Sequence, residues 1–233
     1  MPDLNLNAHT DISPKYRLRF SKTGQAVYMS HLDLMRTMQR AFARAGFSLK
    51  HSEGFNPHPQ ISIALPLSVG MSSVCELLDF SLQVQTSFRK IPPYLNKVLP
   101  QGIEVTDIYP AGKKVRDLKW LSVIGELFYN NSILSPSETA GKLEQYFSAD
   151  EIVIRKKTKR GLRDTNIAPG IKSAEFAVFE DKLVLMATIS AAEPTVSPEH
   201  MMQALKENAP ELAPDFAAFT RTETYDNSLG VFR

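Results

Sequence analysis

The order of strand-like and helix-like segments predicts an α+β protein built from two β-α-β-β-α-β halves with antiparallel sheets. Three observations carry this prediction. Apolar and polar residues alternate with period two from Tyr16 onward. Helix-start signals stand at Ser30, Ser135 and Ser197, each opening an apolar stripe. Pro- and Gly-containing loops separate the runs. The chain has 233 residues, long for one compact domain and short for three.

Residues 1–14 read as a polar leader ending at Ser13-Pro14. Tyr16, Leu18 and Phe20 alternate with Arg17, Arg19 and Ser21, as in a half-buried strand. Lys22 to Gln25 reads as a turn and Ala26 to Met29 as a strand. Ser30, with Asp33 three residues on, caps a helix that Gly46 stops. Its expected apolar stripe is Leu32, Met35, Met38, Phe42 and Ala45. Two short strands, Phe47–Lys50 and Ile61–Leu65, flank the stiffened loop from Ser52 to Pro59. A strand over Cys75–Val84, a helix over Phe88–Leu99 and a strand over Ile103–Ile108 complete residues 15–114.

The second half, residues 119–233, reads as a strand over Leu121–Phe128 and a helix from Ser135 to Phe147. Strands follow over Ile152–Lys157, Ala174–Phe179 and Leu183–Ile189, then a helix from Ser197 to about Asn208 and a strand over Phe216–Tyr225. This order is that of two ferredoxin-like halves joined near Val115–Lys119. One α+β domain with a continuous sheet is the alternative.

Composition excludes several classes. The hydrophobic share of 43% supports an ordinary core rather than disorder. The single cysteine, Cys75, provides no thiolate set for an iron–sulfur cluster or structural zinc and no disulfide partner. A reducing cytoplasm suits such a chain, with no secretory signal and no membrane-spanning run expected. Cys75 itself falls in an apolar strand pattern, where a buried, inert thiol is expected. Walker loops, nucleophile elbows and dinucleotide fingerprints are missing from the sequence.

The net charge of +2 hides an uneven distribution. Met1–Leu118 holds 14 Lys and Arg against 9 Asp and Glu, or +5, and Lys119–Arg233 holds 13 against 16, or −3. Two basic features stand out. Arg36, Arg40 and Arg44 fall at i, i+4 and i+8 on one helix face, beside Arg17, Arg19, Lys22, Lys50 and His51 in the same half. Guanidinium forks in that register suit phosphate oxygens, although a solvated helix face explains them as well. The run Arg155, Lys156, Lys157, Lys159, Arg160 and Arg163 places six cations in nine residues without an acid. A polyanion relieves their repulsion, and counterion release makes such binding salt-dependent. A solvated loop, or an intramolecular partner for the acidic half, is the plainer alternative.

Three histidines invite a catalytic reading. His31 starts the first helix, His51 lies near Glu53, and His58 is pinned between Pro57 and Pro59. A histidine pair can cleave RNA by general acid–base transfer. His51, Glu53 and His58 could instead ligate a metal, but the spacing matches no helix-face ligand pair and no metal is expected.

The strings Arg17-Leu-Arg-Phe-Ser-Lys-Thr-Gly24, Ser30-His-Leu-Asp-Leu-Met-Arg36 and Ser52-Glu-Gly-Phe-Asn-Pro-His-Pro59, with Ile61-Ser62 and Leu65-Pro66-Leu67, resemble the radical-SAM-linked domain of unknown function found in many bacteria. That domain occurs alone or fused behind a cobalamin-binding radical S-adenosylmethionine module. The resemblance is strong over Tyr16–Ile108 and weaker beyond. Ala168 stands where the family commonly has an arginine, and Gln60 where a lysine is frequent. The resemblance implies a partner to radical chemistry, with no cofactor in this chain. It singles out Lys22, His31, Asp33, Arg36, Glu53, Asn56 and His58 as candidates for a shared site. Ser30 and Asp33 as a plain helix cap, and Asn56-Pro57 as a plain turn, account for those positions equally well.

The leading expectation is a non-catalytic cytoplasmic module that binds RNA or ribonucleoprotein and works with a separate radical SAM enzyme. The alternatives are a metal-independent endoribonuclease using His31, His51 and His58, and a protein–protein adaptor.

Overall fold

A computed structural model describes residues 15–84, 87–130, 134–158 and 161–233. The expected leader over residues 1–14 lies outside the described residues. The opening alternation becomes β1 (Lys15–Lys22), with Leu18 and Phe20 fully buried. The next expected strand is instead a 3-10 turn over Gly24–Tyr28. Gly24 takes a left-handed φ of +55° and the Thr23 amide donates to the Gly102 carbonyl at 2.8 Å. The chain is turned before a second strand can start.

Helix α1 (His31–Arg44) begins as expected, with the Ser30 hydroxyl accepting from the Asp33 amide. Its buried face is Leu34, Met38, Ala41 and Phe42, at i, i+4, i+7 and i+8. The expected stripe was rotated from this face. Leu32 lies in the first turn and is 57% exposed. Next come β2 (Ile61–Ala64), β3 (Ser72–Ser81), α2 (Ile91–Asn96) and β4 (Ile103–Pro110). The expected strand over Phe47–Lys50 reduces to isolated bridges. Leu49 pairs with Leu82 and His51 with Pro59, so residues 47–60 form a small insertion between α1 and β2.

The remaining elements are β5 (Leu118–Phe128), α3 (Pro136–Phe147), β6 (Val153–Thr158), β7 (Gly161–Asn166), β8 (Ile171–Phe179), β9 (Lys182–Ser190), α4 (Pro198–Asn208) and β10 (Phe216–Asp226). Strand β7 has no counterpart among the expected strands, because its sequence GLRDTN lacks the apolar alternation of a sheet strand.

Eight strands form one mostly antiparallel sheet in the order β4-β1-β3-β10-β5-β9-β8, with β2 also on β3. Strands β6 and β7 form a separate hairpin. Within residues 15–110 the order is β4-β1-β3-β2, and from residue 118 on it is β10-β5-β9-β8, with antiparallel neighbours in both. The expectation of separate antiparallel sheets is corrected at β3. Strand β2 covers only Leu77–Phe80 of its free edge. Strand β10 takes up Ser72 and Ser73 in parallel, opposite Thr220 and Arg221. Otherwise those edge groups would lack ladder partners. The sheet is therefore continuous and mixed.

Two apolar cores lie along it. One joins Leu18, Phe20, Met38, Phe42, Leu78 and Phe80. The other centres on Leu121, Leu127, Leu143, Leu185 and Leu205, and reaches back to Ala64, Leu67, Met71 and Leu77. Among the described residues, no helix is long and apolar enough to cross a membrane.

Candidate nucleic-acid interface

Most cations of β1 are not at the surface. Arg17 is fully buried: its Nε donates to Asp79 Oδ1 at 2.6 Å and its Nη2 to Asp79 Oδ2 at 3.0 Å. The Phe232 ring lies 4.8 Å from its Cζ. Arg19 donates to both carboxylate oxygens of Glu223 at 3.0 Å. Lys22, expected to contact a polyanion, is 1% exposed and donates to the Val27 carbonyl at 3.0 Å. That assignment is corrected, because a buried ammonium offers no surface to a phosphate. Burial holds its pKa below the ordinary lysine value, against the opposing pull of Glu76.

Glu76 is buried beside Arg221, whose Nη1 donates to it at 2.8 Å and to the Leu65 carbonyl at 3.0 Å. Burial pushes the Glu76 carboxyl up, and Arg221 pulls it back down. Cys75 is buried as expected, its thiol pushed up to about 12 by desolvation. The expected basic surface around β1 is thus an internal layer of ion pairs.

On α1, Arg36 is exposed and lies 3.7 Å from Asp33, while Arg40 is exposed. Arg44 Nη2 donates to the Val98 carbonyl at 3.0 Å, so the third guanidinium of the row turns towards the end of α2. Asp33 also accepts from the Ser30 hydroxyl at 2.7 Å, which makes it part of the helix cap.

The insertion at 47–60 holds the remaining motif residues. The Ser52 hydroxyl accepts from the His58 amide at 3.1 Å and lies 2.9 Å from His58 Nδ1. The Ser52 amide donates to the His58 carbonyl at 2.8 Å. His51 Nδ1 donates to the Leu49 carbonyl at 3.1 Å, since a carbonyl can only accept. Glu53, Phe55 and Asn56 are exposed at the tip, and His31 is exposed at the start of α1. Among the described residues, no cluster of three or more His, Cys, Asp and Glu could hold a metal. The structure groups His51 with His58 in one insertion and leaves His31 on another element.

The second basic feature is a hairpin ribbon. Strands β6 and β7 pair from Val153↔Asn166 to Thr158↔Gly161, and Lys159 and Arg160 lie outside the described residues. Its base is pinned. Ile154 is fully buried, and Asn166 Oδ1 accepts from the Ile152 and Ala168 amides. Helix α4 holds one edge: Asn208 donates to the Val153 carbonyl at 2.9 Å and Gln203 to the Arg155 carbonyl at 3.0 Å. Glu207 accepts from the Arg155 amide and from Gln203, and these bonds hold its carboxyl below the usual range.

The ribbon's cations are poorly compensated. Lys156 stands directly opposite Arg163, a like-charge pair that destabilises an antiparallel ladder. Lys156 Nζ donates to the Thr195 carbonyl at 3.0 Å. Arg155 faces Asp164 at 3.6 Å, but both side chains are about 70% exposed, so water screens the pair. Among the described residues, no carboxylate pairs with Lys157 or Arg163. The α1 arginines and this ribbon stand on different elements, α1 packing on β2 and the ribbon on α4.

Residues 15–198 match the family described as "Uncharacterized protein conserved in bacteria (DUF2344)". The chain belongs to this family. The DUF2344 match takes in β1, α1, the 47–60 insertion and the whole ribbon, and stops at the first residue of α4. Arg221 and Glu223, which neutralise Glu76 and Arg19, lie beyond it. No curated protein matches the chain.

Among solved structures, a chain in "Crystal Structure of a Cbf5-Nop10-Gar1 Complex" aligns over 90% of this chain at 11% identity and a TM-score of 0.50. This chain spans about half, 48%, of that one. The likeness is one of fold alone. An unknown protein from Galdieria sulphuraria (9% identity, 90% of this chain and 98% of that one) reaches a TM-score of only 0.26. The small subunit of acetolactate synthase from Thermotoga maritima (11% identity, 90% and 94%) has the same TM-score of 0.26. Neither carries an argument about this DUF2344 chain.

Sequence reasoning missed the inward turn of β1. The signal was present in Glu76 and Asp79, two acids inside an otherwise apolar strand. Such acids require buried cations nearby. Gln39, Phe47 and Gln83, which line a groove beside α1, carried no recognisable motif.

Proposed function

We propose that this protein is a non-catalytic RNA- or ribonucleoprotein-binding module. The observation that carries the reading is the β6–β7 ribbon, where Lys156 and Arg163 face each other and Lys157 lacks a carboxylate partner among the described residues. A ladder of uncompensated cations, anchored at its base and exposed along its length, gains stability from a phosphate chain and needs no fixed geometry from it. The exposed Arg36 and Arg40 add a second basic feature on α1.

The repeated strand order supports reading residues 15–114 and 119–233 as two ferredoxin-like units, with the ribbon inserted in the second. The motif strings around Ser30 and Ser52 support a finer role, in which the module presents RNA to a separately encoded radical SAM enzyme.

The test is RNA binding as a function of salt. Neutralising Arg155, Lys156, Lys157 and Arg163 to Gln is expected to weaken RNA binding at least about tenfold in dilute salt. It should also flatten the salt dependence by about 0.7 per lost contact. Unchanged affinity, or no binding at low salt, overturns the reading. Histidine-dependent cleavage in EDTA would replace it with an endoribonuclease acting through His31, His51 or His58.

A further inference from the structure

An open groove of about 450 Å³ runs between the second half of α1 and the 47–60 insertion. We propose that this groove is a nucleobase subsite, with the sugar–phosphate chain passing along Arg36 and Arg40. The proposal rests on the RNA-binding reading and extends it, since it adds a place where a base, not only a phosphate, is held.

The lining chemistry leads to this ligand class. No Asp, Glu, Lys or Arg lines the groove, so its own groups do not select a charged head. Its polar side chains are the amides of Gln39 and Gln83, the hydroxyl of Ser48 and the imidazole of His51. A primary amide offers a donor and an acceptor side by side, as a base edge does. The Nδ1 proton of His51 is committed to the Leu49 carbonyl, which leaves Nε2 as the ring nitrogen outside that bond.

Apolar walls come from Ala43, Phe47 and Pro59. The Phe47 ring is half-buried and packs edge-on against Tyr94, with centroids 6.1 Å apart and planes at 85°. That contact fixes the ring plane, and a fixed ring suits sequence-tolerant base stacking.

Arg36 and Arg40 complete the argument. They precede Gln39 and Ala43 by three residues, so each is a surface neighbour of a groove-lining position on the helix. Arg44 is engaged with Val98 instead. A base in the groove therefore has guanidinium groups beside it but none beneath it. Cations placed for the phosphates beside an aromatic wall for the base suit a single-stranded nucleotide.

The test uses the full-length chain, isotope-labelled for amide NMR. Nucleoside 5′-monophosphates and, separately, ribose 5-phosphate are titrated to millimolar concentration, followed by a short single-stranded RNA. The mononucleotides are expected to shift the amides of Gly46, Ser48, His51 and Gln83, and ribose 5-phosphate is not. Ala43→Trp, an exposed position that fills the groove, should abolish those shifts and weaken RNA binding about tenfold. Gln39→Ala should weaken the nucleotide shifts without filling the groove, which keeps the test valid if the tryptophan variant folds poorly. Absent groove shifts, or equal shifts with ribose 5-phosphate, overturn the subsite. If RNA then moves only the β6–β7 amides, the ribbon reading survives alone. If nucleotides fill the groove while the ribbon stays silent to RNA, the subsite stands and the ribbon reading falls.

Discussion

In β1 most of the cations point into the molecule, whereas in the β6–β7 ribbon they line its surface. Both segments are rich in basic residues, alternating in KYRLRFSK and consecutive in VIRKKT. The difference lies in their neighbours. Strand β1 is flanked by β3, which supplies Asp79 and Glu76, and β10 brings Glu223 within reach of Arg19. The ribbon pairs with no strand but its own second one, which supplies one acid, Asp164, against a further cation, Arg163, and the acid that α4 brings, Glu207, is bonded to the Arg155 amide. A basic strand thus turns its charges inward or leaves them exposed according to what its neighbours carry, not according to its own sequence.

The sharpest way to break this contrast is to remove an acid from each side. Glu76→Ala strands Arg221 in the interior and is expected to cost about 3–5 kcal/mol in denaturant unfolding. A loss below about 1 kcal/mol would show that the internal layer is not what holds β10 to β3. The ribbon cations behave in the opposite way. Their joint neutralisation, expected to lower RNA affinity, should leave the unfolding midpoint nearly unchanged, because exposed charges contribute little to stability.

A smaller effect links the two regimes through pH. His200 accepts the Ser197 amide at Nδ1 and so caps α4 in its neutral form. Burial, aided by the nearby Lys156, holds its pKa below the ordinary histidine value. A depressed folded-state pKa gives stability that is present above about pH 6.5 and lost as pH falls through the folded value. His200→Gln, which keeps an acceptor at that position, should flatten this part of the stability–pH curve. His200→Ala should cost about 1 kcal/mol at neutral pH. An unaltered pH slope in the Gln variant would assign the acid sensitivity elsewhere. The smallest expected change is Asp164→Asn: less than about 1 kcal/mol in stability, with a severalfold gain in RNA affinity measurable by fluorescence anisotropy.

Most elements were legible because their signals are local. Ser30, Ser135 and Ser197 cap helices where expected, and the alternation in β1 and β5 survives in the burial of Leu18, Phe20, Leu121 and Val123. What failed depends on pairing between distant residues. The parallel contact of β10 with β3 joins Arg221 to Ser73 across nearly 150 residues, and no periodicity announces it. The destiny of Lys22 depended on Glu76 in another strand. Strand β7 was missed because a ribbon held by its neighbour and by α4 needs no apolar face of its own.

The backbone ladder at the seam between the two cores has two residue pairs, Thr220–Ser72 and Arg221–Ser73, while that of β1 with β3 has seven. Backbone stiffness across the sheet is therefore least at that crease. Amide protons there are expected to exchange with deuterium sooner than those of β1, and bending concentrates there. The separation between the α1 arginines and the ribbon, and so the curvature of any strand of RNA that touches both, is set at a crease of four residues, one of which, Arg221, also holds the buried Glu76.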